Sequence, residues 1–147
     1  MEIGRNVLGL TGANSREFDE SGKHLVIDLM PDQENVQKGG TMRLGAYPCQ
    51  VKKDTMLHQA YNKELISERH RHRYEFNNDY RESFEKAGVV FSGTSPDNRL
   101  VEAIELPSAR FYVGVQYHPE FKSRPNSAHP LFREFIRASL ECKREKN

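Results

Sequence analysis

The residues with the clearest chemical potential are His118 and Glu120, in the run Val113-Gly114-Val115-Gln116-Tyr117-His118-Pro119-Glu120, where an apolar, strand-like segment meets a stiff corner. Pro119 locks its own φ and biases His118 toward extended geometry, so His118 and Glu120 can be displayed on the same side of that corner. A carboxylate that accepts a hydrogen bond from one imidazole nitrogen fixes the tautomer and leaves the other nitrogen free as a general base. Such a base needs a nucleophile to serve. The same motif also suits a strand-end histidine bonded to the backbone, so on these residues alone both readings stand.

A second constellation is Glu68-Arg69-His70-Arg71-His72-Arg73-Tyr74-Glu75. Read as a strand, it puts Arg69, Arg71 and Arg73 on one face and His70 and His72 on the other. Three guanidinium groups on one face repel unless something negative lies opposite, which is either an anionic ligand or the flanking Glu68 and Glu75. The His-x-His pair lacks an Asp, Glu or Cys at ligand spacing, so no metal site is expected. A third stretch, Gly39-Gly40-Thr41-Met42-Arg43-Leu44-Gly45, suggests a tight turn but matches neither phosphate-loop pattern.

The two cysteines, Cys49 and Cys142, are far apart and have no CxxC spacing, which argues against a zinc site or a disulfide. Cys49 lacks the flanking glycines of a nucleophile elbow, and Cys142, beside Lys143 and Arg144, reads as a surface thiol. Neither is expected to be a nucleophile.

These residues need elements to hold them. Residues 2–10 have helical spacing at Ile3, Val7 and Leu10, and Thr11–Ser15 reads as a turn. Leu25–Met30 is a short apolar run ended by Pro31-Asp32, Gln33–Lys38 with Gly39-Gly40 reads as a loop, and a strand is expected over Thr41–Val51. A short helix over Thr55–Asn62 precedes a strand over Glu68–Asn77, and a helix over Asp79–Ala87 closes at Gly88. Strands are expected over Val89–Gly93, Leu100–Leu106 and Phe111–Tyr117. The last helix, Pro130–Leu140, starts on a proline suited to its first position and carries Leu131, Phe132, Phe135 and Leu140 on one side. Cys142–Asn147 is expected to be a fraying polar tail. The pattern gives an α/β or α+β layer fold.

Length and composition bound what such a fold can do. The 147 residues fit one domain. Apolar residues make up 36% and mean hydropathy is -0.80, a thin apolar complement that points to a missing partner surface. With 22 Lys+Arg against 21 Asp+Glu the net charge is +1, which removes the global electrostatic case for nucleic acid or an anionic membrane. Apolar runs such as Phe111–Val115 are far shorter than the ~20 residues of a spanning helix, and the first residues have no secretion pattern, so the cytoplasm is the expected compartment.

Taken together, Gly39–Gly45, Glu68–Glu75, Gln116-Tyr117-His118-Pro119-Glu120-Phe121 and His129-Pro130-Leu131-Phe132 resemble the C-terminal part of the CTP synthase family over nearly the whole chain. The His-Pro-Glu corner alone resembles class I glutamine amidotransferases at large, and the arginine and glycine stretches are similar to the CTP synthase branch. The resemblance implies an α/β fold: the partial, flavodoxin-like domain of a class I glutamine amidotransferase, a mixed sheet with flanking helices lacking its N-terminal half. Residues 1–141 would be that portion and 142–147 the tail. It implies a Cys-His-Glu glutaminase that frees ammonia from L-glutamine for an ATP-dependent synthetase aminating UTP to CTP.

On this mapping His118 is the catalytic imidazole, Glu120 its orienting carboxylate, and Glu17 and Arg73 hold glutamine. The family's Gly-x-Cys-x-Gly elbow has no match here, and by register its cysteine would lie about two helical turns before Met1. The resemblance thus implies a fragment without nucleophile or synthetase domain, inactive alone. It implies ATP and magnesium only for the missing domain, and a homo-tetramer for the full enzyme. The alternative is a non-catalytic binding or regulatory module derived from a glutamine amidotransferase.

Overall fold

The computed structural model describes residues 1–29 and 42–146. Met30, Pro31-Asp32, the loop expected at 33–40 and Thr41, with the Gly39-Gly40-Thr41 part of the glycine stretch, lie outside the described residues.

Helix α1 (Glu2–Asn6) leads into β1 (Ala13–Ser15) and β2 (His24–Asp28), which pair in parallel. The two-residue β5 (Glu75–Phe76) adds to β2 in the antiparallel sense, giving a three-stranded sheet in the order β1-β2-β5. A second, antiparallel sheet has the order β4-β3-β6-β7-β8, formed by β3 (Arg43–Val51), β4 (Leu65–His72), β6 (Val90–Thr94), β7 (Val101–Glu105) and β8 (Val113–Val115). Helices α2 (Met56–Tyr61), α3 (Arg81–Lys86) and α4 (Pro130–Glu145) complete the mixed α/β architecture.

Local chemistry accounts for most boundaries. Thr55 caps α2, its hydroxyl accepting from the His58 N–H at 3.1 Å, and Asn62 ends the helix in the left-handed region at φ 52°. Gly88, at φ +86°, turns the chain out of α3 toward β6, a conformation that penalises any Cβ. Gly93 serves close packing instead: a Cβ there would stand 2.8 Å from Cys49 Sγ and 3.0 Å from Ala103 Cβ, across the β3–β6–β7 contact.

Two apolar clusters form the core. One gathers Cys49, Val51, Leu57, Ile66, Tyr117 and Leu131 between the large sheet, α2 and α4. The other gathers Ile3, Ala13, Val26, Phe84 and Phe91 between α1, the small sheet, α3 and β6. Burying this surface is the main favourable term for the fold.

The structure departs from the sequence reading at four places. Ala13–Ser15 is a strand rather than a turn, because Ala13 and Ser15 are buried against the second cluster and Asn14 is paired with Leu25. The first helix ends at Asn6, with Val7 exposed. The arginine stretch is one strand only as far as His72, and Arg73 sits in the bend before β5, so it does not share a strand face with Arg69 and Arg71. Helix α4 continues through Cys142 to Glu145 and buries Leu131 and Ala138, seven residues apart, while Phe132, Phe135, Ile136 and Leu140 stay exposed. Its apolar arc is wider than the face that the body covers.

Candidate active site

His118 follows β8 with φ -111° and ψ 91°, the extended geometry that a following proline imposes, and Pro119–Phe121 then forms a single 3-10 turn. That turn swings Glu120 back beneath the imidazole, with Nδ1 and Oε1 at 2.8 Å. For a neutral ring this assigns the proton to Nδ1 and leaves Nε2 as acceptor, the arrangement a general base requires. The hydrogen bond with His118 holds the Glu120 carboxyl below its usual range. Phe121 stacks on the ring, its centroid 5.1 Å away, and limits the ways it can turn. The backbone is tied down as well, since the His118 N–H donates to the Arg69 carbonyl on β4 at 2.8 Å.

The other two candidates come from the small sheet. Ser15, Ile27 and Phe76 share one row of its ladder, β1 and β2 running the same way and β5 against them. Glu17, just past the end of β1, and Arg73, just before β5, therefore leave the sheet at the same end. Glu17 is exposed in a turn, its N–H bonded to the Ser15 hydroxyl at 3.3 Å. Arg73 is half-buried, and its Nε is a buried donor with no hydrogen-bond partner among the described residues. A buried unpaired guanidinium nitrogen is costly unless a ligand completes it, and a carboxylate is the natural complement.

Sequence reasoning missed what lies behind these residues. The inward face of β4 carries Glu68 and His70, both buried, while Arg69 and Arg71 face solvent. Arg43, from β3, bridges Glu102 at 2.8 Å and Glu75 at 3.4 Å. His70 and His72 face each other, Nδ1 to Nε2 at 2.7 Å. Burial, reinforced by the Arg43 charge, pushes His70 down to about 3 and His72 to about 4, so both are neutral, and burial raises Glu75 to about 7 against the pull of Arg43. Of the two flanking carboxylates expected to face the arginines, Glu75 is taken by Arg43 and Glu68 by Lys122 at 3.1 Å. Only the alternation of Glu68, His70 and His72 hinted at an inward polar row.

The sequence profile of the family described as Glutamine amidotransferase class-I matches residues 3–138. The chain belongs to that family. The CTP synthase of Aquifex aeolicus is 62% identical over 146 residues, covering 99% of this chain and 28% of that protein. The CTP synthase of Carboxydothermus hydrogenoformans is 61% identical over 142 residues, 96% of this chain and 26% of that protein. Among solved structures, the glutaminase domain of Trypanosoma brucei CTPS with bound acivicin superposes with a TM-score of 0.88 at 38% identity, over 95% of this chain and 55% of that one. The chain spans little more than a quarter of the curated relatives it matches.

In this class I glutamine amidotransferase chain the thiols are set apart from the His118–Glu120 pair. Cys49 is fully buried in the first core cluster, and burial, with Glu102 and Glu68 nearby, pushes its thiol up to about 12. It is inert at neutral pH. Cys142 lies half-buried on α4. Among the described residues no group of three or more His, Cys, Asp or Glu side chains is placed to hold a metal ion, and no helix is long and apolar enough to cross a membrane.

Proposed function

We propose that this chain is the base-bearing and glutamine-holding portion of a CTP synthase glutaminase. His118 is the general base and later general acid, Glu120 fixes its tautomer, and Arg73 and Glu17 grip the carboxylate and ammonium ends of L-glutamine. The observation that carries this reading is the His118–Glu120 contact at 2.8 Å, which leaves Nε2 available on a corner anchored to the strand leading into Arg73.

Glutaminase chemistry of this kind needs a thiolate to attack the side-chain amide, with the imidazole taking the thiol proton and returning it to the leaving ammonia. Cys49 does not fill that role, so the thiolate comes from sequence outside these 147 residues, and the chain alone does not hydrolyse glutamine. The freed ammonia serves the amination of UTP to CTP in a synthetase domain that uses ATP and magnesium. No step assigned to the residues of this chain runs through that pair. The exposed apolar arc of α4 supports a chain that packs against further protein surface, in an enzyme that by family resemblance is tetrameric and cytoplasmic.

The test is His118→Ala in the full-length enzyme. Glutamine-dependent CTP formation should disappear while ammonia-dependent formation persists; equal loss with both nitrogen sources would make His118 a fold residue instead.

A further inference from the structure

Gln116 stands two residues before His118, and Tyr117 between them is buried in the core at 3% exposure. Gln116 and Tyr117 form the bend between β8 and His118, in which Tyr117 turns into the core and Gln116 does not. From there the Gln116 amide reaches across to the bend that carries Arg73: Nε2 lies 2.6 Å from the Tyr74 carbonyl and 3.2 Å from His72 Nδ1. The amide has two N–H donors: the Tyr74 carbonyl takes one, and the second meets His72 Nδ1 when that nitrogen carries no proton.

The rest of the row follows from proton accounting. Because burial keeps both imidazoles neutral, each carries one N–H. His72 Nδ1 lies 3.2 Å from both the Gln116 amide and the Tyr74 carbonyl, so it accepts from the first or donates to the second, and in either tautomer one proton bridges His72 Nε2 and His70 Nδ1 at 2.7 Å. Glu102 is held by Arg43 at 2.8 Å, and its strand accepts the Gln116 N–H through the Glu102 carbonyl at 2.9 Å. The row thus ties the segment before His118 to the Tyr74 backbone and to the buried histidines of β4.

We propose that Gln116 is a positioning residue for the glutaminase: through the Tyr74 carbonyl and His72 it fixes the Arg73–Tyr74 bend against the segment that leads from β8 to His118. The inference rests on the glutaminase reading of that site. Gln116 holds the Tyr74–Glu75 peptide, one residue beyond Arg73, so the strap sets where the guanidinium meets the substrate carboxylate relative to the base. Misplacing one half of a two-point grip by an ångström is felt as lost substrate affinity and alignment.

Gln116→Met keeps the length of the side chain and removes both donors. In the full-length enzyme it should raise the KM for glutamine about tenfold with kcat within about twofold of normal. Gln116→Glu keeps the length too but sets an acceptor against the Tyr74 carbonyl, and it should raise KM at least as much. Turnover with ammonia reports whether either variant has folded. An unchanged glutamine KM in both variants overturns the strap, as does a parallel loss with ammonia, which would make Gln116 a fold residue. His118→Ala run alongside separates the two levels: if that variant no longer uses glutamine while Gln116→Met is normal, only the strap fails, and if it still uses glutamine, the site reading falls and the strap with it.

Discussion

The Glu105 carboxylate on β7 accepts the Leu57 N–H at 2.7 Å, and its second oxygen accepts the Met56 N–H at 2.9 Å. A buried side chain 48 residues away in sequence thus satisfies the first turn of α2 and faces the positive end of the helix. Glu105→Ala should leave two buried donors unpaired and destabilise the fold by about 2–4 kcal/mol. Thermal unfolding of the purified protein checks this, and Glu105→Gln, which can satisfy only one donor, should lie between the two.

The elevated Glu75 gives a stability change with a definite sign. A carboxyl whose folded value is raised to about 7 from about 4.5 contributes fully below the lower figure. Between them the unfolded chain ionises first, and the contribution is lost as pH rises. Glu75→Gln removes this dependence. The stability of the wild type relative to Glu75→Gln should fall by up to about 3 kcal/mol between those two pH values and stay level above them. Urea unfolding of both proteins across that range tests it, and a difference rising with pH would contradict the buried, raised Glu75.

Much of the scaffold was legible because its signals are local. The capping Thr55, the helix-closing Gly88, the proline opening α4 and the His118-Pro119 corner each act within a few residues. Glu102 and Glu105 were not legible, since they fall on opposite faces of the strand and nothing in the sequence marks either as buried. Their burial depends on Arg43 and on the α2 N-terminus arriving from elsewhere. Arg73 was singled out as a glutamine-binding candidate by resemblance and wrongly aligned with Arg69 and Arg71, because nothing local marks the end of β4 at His72. The Gln116 contact with Tyr74 spans 42 residues and leaves no sequence pattern.

The cysteines should react in order of access. A thiol pushed up by burial to about 12 is neither exposed nor ionised, so Cys49 should resist alkylation in the folded protein while Cys142 is modified. Mass mapping after brief treatment with iodoacetamide distinguishes them. Prompt labelling of Cys49 would reopen it as a candidate nucleophile.

The arginines should separate by function. In the full-length enzyme Arg73→Lys keeps the charge but loses the planar fork, and it should cost about 1.5–3 kcal/mol of glutamine binding, seen as a higher KM. Arg69→Lys, on the exposed face of β4, should leave the glutamine KM unchanged. Glu17→Gln should act in the same direction as Arg73→Lys. Glutamine kinetics of the three variants decide whether the substrate residues are rightly assigned.

The most direct measurement is CTP formation by full-length His118→Ala enzyme, supplied in turn with glutamine and with ammonia. Loss of glutamine-dependent formation with ammonia-dependent formation near the wild-type rate is the result this account predicts. Sustained glutamine use by the variant would contradict the assignment of His118 as the glutaminase base.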